Sequence, residues 1–252
     1  MSDIHVGYRA VSFRTNLRSS SRAHAKMLAM SARAKALVSW SSGKDSAYAL
    51  QLVREARELE VVGLLSTVSS EFDRVAMHGV RRELLERQAA SLALPLHVVE
   101  LPKACPNEVY DQRMAAFVEQ ARRDGIERVV FGDLFLADIR AYRERQLAGT
   151  GIAPAFPLWG RDTRELAREM LAAGIVATVT CLDPRKLPRE LAGRRWDSFL
   201  LRELPAEVDP CGEHGEFHTF VSDGPGFSEA IGTMPGEVVE REGFVYADLL
   251  PH

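Results

Sequence analysis

Cysteine is scarce and scattered. Cys105, Cys181 and Cys211 are the only three, and no two form a C-x-x-C pair. That excludes a disulfide scaffold, a zinc ribbon and a thioredoxin-type redox pair, and it fits a reducing, cytoplasmic setting. No apolar run approaches the ~20 residues that cross a bilayer, so no membrane-spanning helix is expected. Positive charge is missing where a polynucleotide would need it. Residues 1–35 hold seven Lys or Arg against one acid, but the rest of the chain holds 25 against 34, for a net charge of −3. So acidic a body excludes general nucleic-acid binding, although a local Gly-rich loop can still hold a small anion. Apolar residues are not lacking. At 46% hydrophobic and 27% charged, the 252 residues fit one large globular domain or two small ones and exclude wholesale disorder.

Residues 1–34 stand apart: Arg- and Ser-rich, almost without acids, and without helical or strand periodicity. They read as a disordered tail, as a transit peptide, or as sequence upstream of a start at Met27 or Met30. From Lys35 the pattern alternates. Short apolar runs at Ala36–Trp40, Val61–Leu65, Leu96–Val99, Val129–Phe131 and Ile175–Val179 predict strands. Helical spacing predicts helices around 47–56, 84–92, 107–123, 136–148 and 163–173, the last capped by Asp162 or Thr163 and stopped by Gly174. Strands alternating with helices of this length predict an α/β fold with a doubly wound parallel sheet over residues 35–182. Prolines at 184, 188, 205 and 210 then break the rhythm. Residues 183–252 are expected to form a smaller α+β lobe for the second substrate.

The most informative segment joins the first strand to the first helix: Ser41, Ser42, Gly43, Lys44, Asp45, Ser46. Ligands of open α/β sheets bind outside the carboxyl ends of the strands. A helix N-terminus there aims N–H groups at a phosphate. The three hydroxyls add donors and Lys44 adds charge. It is not a Walker loop, because no Gly precedes Gly43-Lys44 at the required spacing and Asp45 follows the lysine. It resembles the S-G-G-x-D-S loop of the PP-loop ATP pyrophosphatases, with Ser42 where that family usually has Gly.

Further motifs narrow the resemblance. Gly132-Asp133 closes the fourth strand, Arg140 and Glu144 follow in Ile139-Arg-Ala-Tyr-Arg-Glu144, and Pro157-Leu-Trp159 comes next. Asp209-Pro-Cys-Gly-Glu-His-Gly-Glu216 leads into Phe217-His-Thr-Phe-Val221, and Asp223-Gly-Pro-Gly-Phe227 closes the set. Together these resemble the diphthine–ammonia ligase family of PP-loop enzymes and its bacterial and archaeal relatives. The resemblance implies a ligase that binds ATP and Mg²⁺ and adenylates a carboxylate with release of pyrophosphate. The activated acyl group is then amidated with ammonia. The implied substrate is diphthine on elongation factor 2, or an unknown small-molecule acid. A homodimer is a candidate assembly. Two other readings stay open: a PP-loop enzyme of the thiolation type, and an ATP or AMP sensor without catalysis.

On this resemblance, residues 41–46 with Gly132 and Asp133 bind the nucleotide. Asp45 and Asp133 are the candidate Mg²⁺ ligands, because a hard cation takes carboxylate oxygens. Lys44, Asp45, Glu213 and Glu216 are the candidate catalytic groups. His78, Arg140, Glu144 and Cys211 are candidates for touching the acyl substrate. Plainer roles compete: a helix-dipole acid at Asp45, a turn residue at Asp133, solvated carboxylates at 213 and 216, a structural histidine at 78, a packing thiol at 211 and an i,i+4 ion pair of Arg140 with Glu144.

Overall fold

The apolar run after Lys35 forms β1 (Ala34–Ser39), whose Ala36, Leu37 and Val38 are buried, in a computed structural model that describes residues 33–103 and 105–252. The expectations for residues 1–32 lie outside the described residues. β2 (Leu59–Ser69) and β5 (Arg128–Val130) pair with the two edges of β1, both in parallel. β4 (Leu96–Leu101) adds to β2, and β6 (Ala153–Ala155) adds to β5, again in parallel. The parallel order is therefore β4-β2-β1-β5-β6. A two-residue strand, β3 (Arg74–Val75), pairs antiparallel with the end of β2. Helices α1 (Lys44–Ala56), α2 (Arg82–Ser91), α3 (Asn107–Arg123) and α4 (Ala137–Leu147) make the connections. The α/β expectation thus holds. The order reverses at β1, so the loops after β1 and β5 leave neighbouring strands in opposite directions and open a crevice between them.

α5 (Thr163–Ala172) starts where expected, because the Asp162 carboxylate accepts from the Glu165 N–H at 2.9 Å and so caps the helix. The strand after it corrects one expectation. β7 (Val176–Leu182) does not join the first sheet. It is the central strand of a second, antiparallel one. Its partners are β9 (Phe217–Asp223) on one edge and β8 (Arg195–Trp196) with β11 (Phe244–Pro251) on the other, and β10 (Thr233–Arg241) pairs with β11. The helix-then-strand rhythm carries past residue 162, but rhythm alone does not say which sheet a strand enters. A short helix, α6 (Ser198–Glu203), lies between β8 and β9.

One apolar cluster runs through both sheets, from Trp40, Leu50 and Leu84 to Trp196, Phe217 and Phe220. Burial of that common core, at roughly 25 cal/mol per Å² of apolar surface, is what holds the second sheet beside the β1 loop. Arg74 and Arg81 add a polar tie, reaching Asp248 of β11 at 2.7 and 2.6 Å. Among the described residues no helix is long and apolar enough to cross a membrane.

Candidate nucleotide site

The loop Trp40–Gly43 turns β1 into α1 through a left-handed residue. Ser42 has φ 69°, a conformation that costs a side-chain-bearing residue about 1–2 kcal/mol. The second sheet helps to hold it there. The Ser42 carbonyl accepts from the Val221 N–H of β9 at 2.9 Å and from the Gln88 side chain at 3.0 Å. Gln88, on α2 and fully buried, also donates to the Val221 carbonyl at 2.6 Å and accepts from Trp40 Nε1 at 2.8 Å. Because the indole N–H can only donate, the amide orientation is fixed. Thr219 of β9 completes the clasp: its Oγ1 accepts from the Lys44 N–H at 3.2 Å. Ser46 Oγ donates to the Gly43 carbonyl at 2.9 Å and lies 3.3 Å from Ser41 Oγ.

Two glycines permit close approach. A Cβ on Gly132 would lie 2.9 Å from the Asp45 carbonyl carbon and 3.0 Å from the Ser46 nitrogen, so the β5 loop abuts the first turn of α1. A Cβ on Gly43 would meet the His78 ring at 2.7 Å. The loops after β1 and β5 therefore share one cavity of about 510 Å³ at the carboxyl ends of the first sheet. Ser41, Lys44, Asp45, Ser46, His78, Gly132, Asp133, Cys211 and Glu213 all line it.

Lys44 does not offer its charge to that space. Its ammonium donates to the Asp45 carboxylate, at 2.9 Å from Oδ2 and 3.1 Å from Oδ1, and to the Cys211 carbonyl. The ammonium also lies over the rings of Phe217 and Trp196 at 5.3 and 5.5 Å. Burial is the largest single influence and works against the charged form, but the Asp45 carboxylate, with Cys211 and Asp209 adding to it, outweighs it. The pKa lies above its ordinary value and Lys44 stays protonated. Glu213 bridges the sheets in another way, accepting from the backbone N–H groups of Leu134 at 2.8 Å and Phe135 at 3.4 Å. Burial pushes its pKa up to about 7 against the pull of these donors, with Asp45 and Asp133 adding negative charge nearby. His78 Nδ1 lies 2.9 Å from the Thr219 carbonyl, so it carries the proton and leaves Nε2 as an acceptor. Burial first, and then the charge of Lys44, draw the His78 pKa down to about 4. Cys211 is buried, and burial pushes its thiol well above the ordinary range.

The remaining predicted residues lie elsewhere. Glu216 is 2% exposed and outside the cavity lining, with Oε1 accepting from the Asp209 N–H at 3.3 Å. Arg140 pairs with Glu144 at 2.8 Å on the exposed side of α4 and stacks over Trp159 and Phe156, so neither charge reaches the cavity. The helix brings Arg143 and Gln146 to the lining instead. Among the described residues no group of three or more His, Cys, Asp or Glu is arranged to hold a metal ion.

A left-handed loop at the switch point of a doubly wound sheet, clasped by a second antiparallel sheet, defines an α/β protein with a cavity at the carboxyl ends of the parallel strands, where such folds place their ligands. Family models identify it further. The diphthamide synthase N-terminal domain matches residues 34–153 and the diphthamide synthase C-terminal domain matches residues 162–246. The chain belongs to the diphthamide synthase family. The mouse diphthine–ammonia ligase is 28% identical, the match covering 82% of this chain and 85% of that protein. The human diphthine–ammonia ligase is 27% identical with the same coverage. The diphthine–ammonia ligase of Schizosaccharomyces pombe is 25% identical over 80% of this chain but only 36% of its own length. Among solved structures, the U34-tRNA thiolase NcsA from Methanococcus maripaludis, with its [4Fe-4S] cluster, aligns at a TM-score of 0.36 and 16% identity. That alignment covers 55% of this chain and 56% of the thiolase.

Proposed function

We propose that the protein is an AMP-forming ligase that adenylates a substrate carboxylate with ATP, releases pyrophosphate and amidates the acyl group with ammonia. The observation that carries this reading is the β1–α1 loop. The hydroxyls of Ser41 and Ser46 and the first turn of α1 line one cavity, where a phosphate chain would find fixed donors, while Ser42 and Gly43 are buried behind that lining and shape the turn. The names of the mammalian and yeast relatives support the amidation with ammonia. They also make diphthine on elongation factor 2 the first acyl substrate to try, with a small-molecule acid as the second.

The chemistry needs activation because oxide is a poor leaving group from a carboxylate, whereas AMP leaves readily from a mixed anhydride. Glu213, whose pKa is raised to about 7, suits proton exchange near neutrality. Neutral His78 offers an acceptor lone pair for an amine N–H. The donor set fits a hydrated Mg²⁺. Asp133 Oδ2 is buried and, among the described residues, has no hydrogen-bond partner. Asp45, already serving Lys44, is the second carboxylate. The ion would neutralise charge on the pyrophosphate. A sulfur-transfer reading draws no support from Cys211, whose thiol burial keeps neutral.

The test is product analysis. With ATP, Mg²⁺, ammonium and either diphthine-bearing elongation factor 2 or a panel of carboxylic acids, AMP and pyrophosphate should appear in step with amide. ADP and phosphate as the main products would refute the assignment.

A further inference from the structure

We propose that Arg143 is the cation that binds the phosphate chain of the nucleotide, a role that neither Lys44 nor Arg140 fills. The inference rests on the ATP-dependent reading above and adds a binding residue to it.

Two strong cations line the cavity among the described residues, Lys44 and Arg143. Lys44 is committed: its buried ammonium donates to Asp45 and to the Cys211 carbonyl, and Asp45 balances its charge. The histidines of the lining, His78 and His218, are held neutral by burial and so contribute no charge. Arg143 is less committed: it pairs loosely with Asp133 and keeps unsatisfied hydrogen-bonding capacity. Its Nε is buried and has no hydrogen-bond partner among the described residues. Its nearest carboxylate, Asp133 Oδ2, lies 3.6 Å away, which is too long for a hydrogen bond. A buried guanidinium N–H without an acceptor is costly, and such groups in folded proteins generally meet a water, an ion or a ligand.

The placement agrees. The guanidinium lies over the Phe131 ring, its carbon 5.0 Å from the ring centre. Phe131 is followed by Gly132, whose backbone abuts Asp45 and Ser46 in the first turn of α1. Arg143 and the first turn of α1 line the same cavity, and its planar fork suits a phosphate better than a lysine would. Arg140, one turn away, is spent on Glu144 and the rings of Phe156 and Trp159.

The experiment uses inorganic pyrophosphate as the probe, in buffer containing Mg²⁺, with calorimetric titration of the full chain. Loss of a charge-assisted contact predicts about 10- to 100-fold weaker binding for Arg143→Met, with Arg143→Lys in between. Arg140→Met should bind like the wild type. A second measurement needs no variant. An arginine-selective dicarbonyl reagent, mapped by mass spectrometry, should modify Arg143 in the free protein and spare it when pyrophosphate is present, while Arg140 reacts equally in both. Wild-type affinity in Arg143→Met, or equal modification of Arg143 with and without pyrophosphate, would overturn this role and leave the ligase reading standing. Failure of the wild type to bind either ATP or pyrophosphate would overturn both.

Discussion

Replacing Gln88 with Leu should destabilise the protein by about 3 kcal/mol. The substitution keeps the approximate volume of a fully buried side chain, so little of the effect is a cavity. What changes is hydrogen bonding. Trp40 Nε1, in a residue 1% exposed, loses its acceptor at 2.8 Å and is left as a buried, unpaired donor, which costs about 1–3 kcal/mol. The carbonyls of Ser42 and Val221 each lose a donated hydrogen bond, at about 1 kcal/mol apiece, although Ser42 keeps the Val221 N–H. In a domain of this size 1 kcal/mol moves Tm by about 2–4 °C, so a fall of about 6–12 °C is expected by thermal unfolding. Pairing Gln88→Leu with Trp40→Phe removes the orphaned N–H, so the double variant should be more stable than the sum of the single effects predicts. A Tm within 2 °C (about the effect of 1 kcal/mol) of the wild type in Gln88→Leu would refute the claim that this amide joins the loop to the second sheet.

Two further predictions follow from the same site. Ser42→Gly removes a left-handed side chain whose buried Oγ has no partner among the described residues, so Tm should rise by roughly 2–4 °C; a fall would mean the hydroxyl stabilises the loop. Glu213 carries a folded-state pKa of about 7, above the ordinary carboxylate value, so the native protein binds this proton more tightly than the unfolded chain and its stability contribution is lost as pH rises from about 4.5 to 7. Glu213→Gln, which keeps an oxygen acceptor for Leu134 and Phe135, should therefore gain on the wild type in Tm across that interval, and a gap that moves the other way would refute the burial argument.

The β1–α1 loop could be read in the sequence because its chemistry is local. A strand, a Ser/Gly turn, an acid and a helix follow one another without interruption, and Ser42 at a position usually held by Gly marks the left-handed residue. Four of the five parallel strands, β1, β2, β4 and β5, could be read for the same reason, since each is a short apolar run bounded by turn residues; β6, Ala153-Pro-Ala155, is too short and too small in its side chains to stand out. The sheet entered by β7 could not, because Val176–Leu182 would look the same in either. Gln88 was missed because Glu86-Arg-Gln88 reads as the wet face of a helix, and only the approach of β9 makes its amide a buried hub. The choice between Arg140 and Arg143 was hidden by α4 itself. Its sequence, Arg140-Ala-Tyr-Arg-Glu-Arg-Gln146, is polar on every side and so carries no periodicity to set its rotation.

These omissions share a cause that bears on mechanism. Dividing the chain into a nucleotide lobe and an acyl-substrate lobe supposes that each site is built from its own segment. The contacts run the other way. The Ser42 carbonyl is held by Val221, the Lys44 N–H by Thr219, the Lys44 ammonium by the Cys211 carbonyl, and the Leu134 N–H of the β5 loop by Glu213. Four residues of the second sheet and the turn before it therefore set the geometry of two loops of the first. A substitution at Thr219 or Glu213 that only weakened the clasp would reach the phosphate donors as directly as one at Ser46. A loss of ATP affinity from such a variant is then no evidence that the side chain touches ATP. What separates contact from clasp is whether the conservative replacement, Thr219→Ser or Glu213→Gln, restores affinity. Each keeps the acceptor oxygen that the clasp requires.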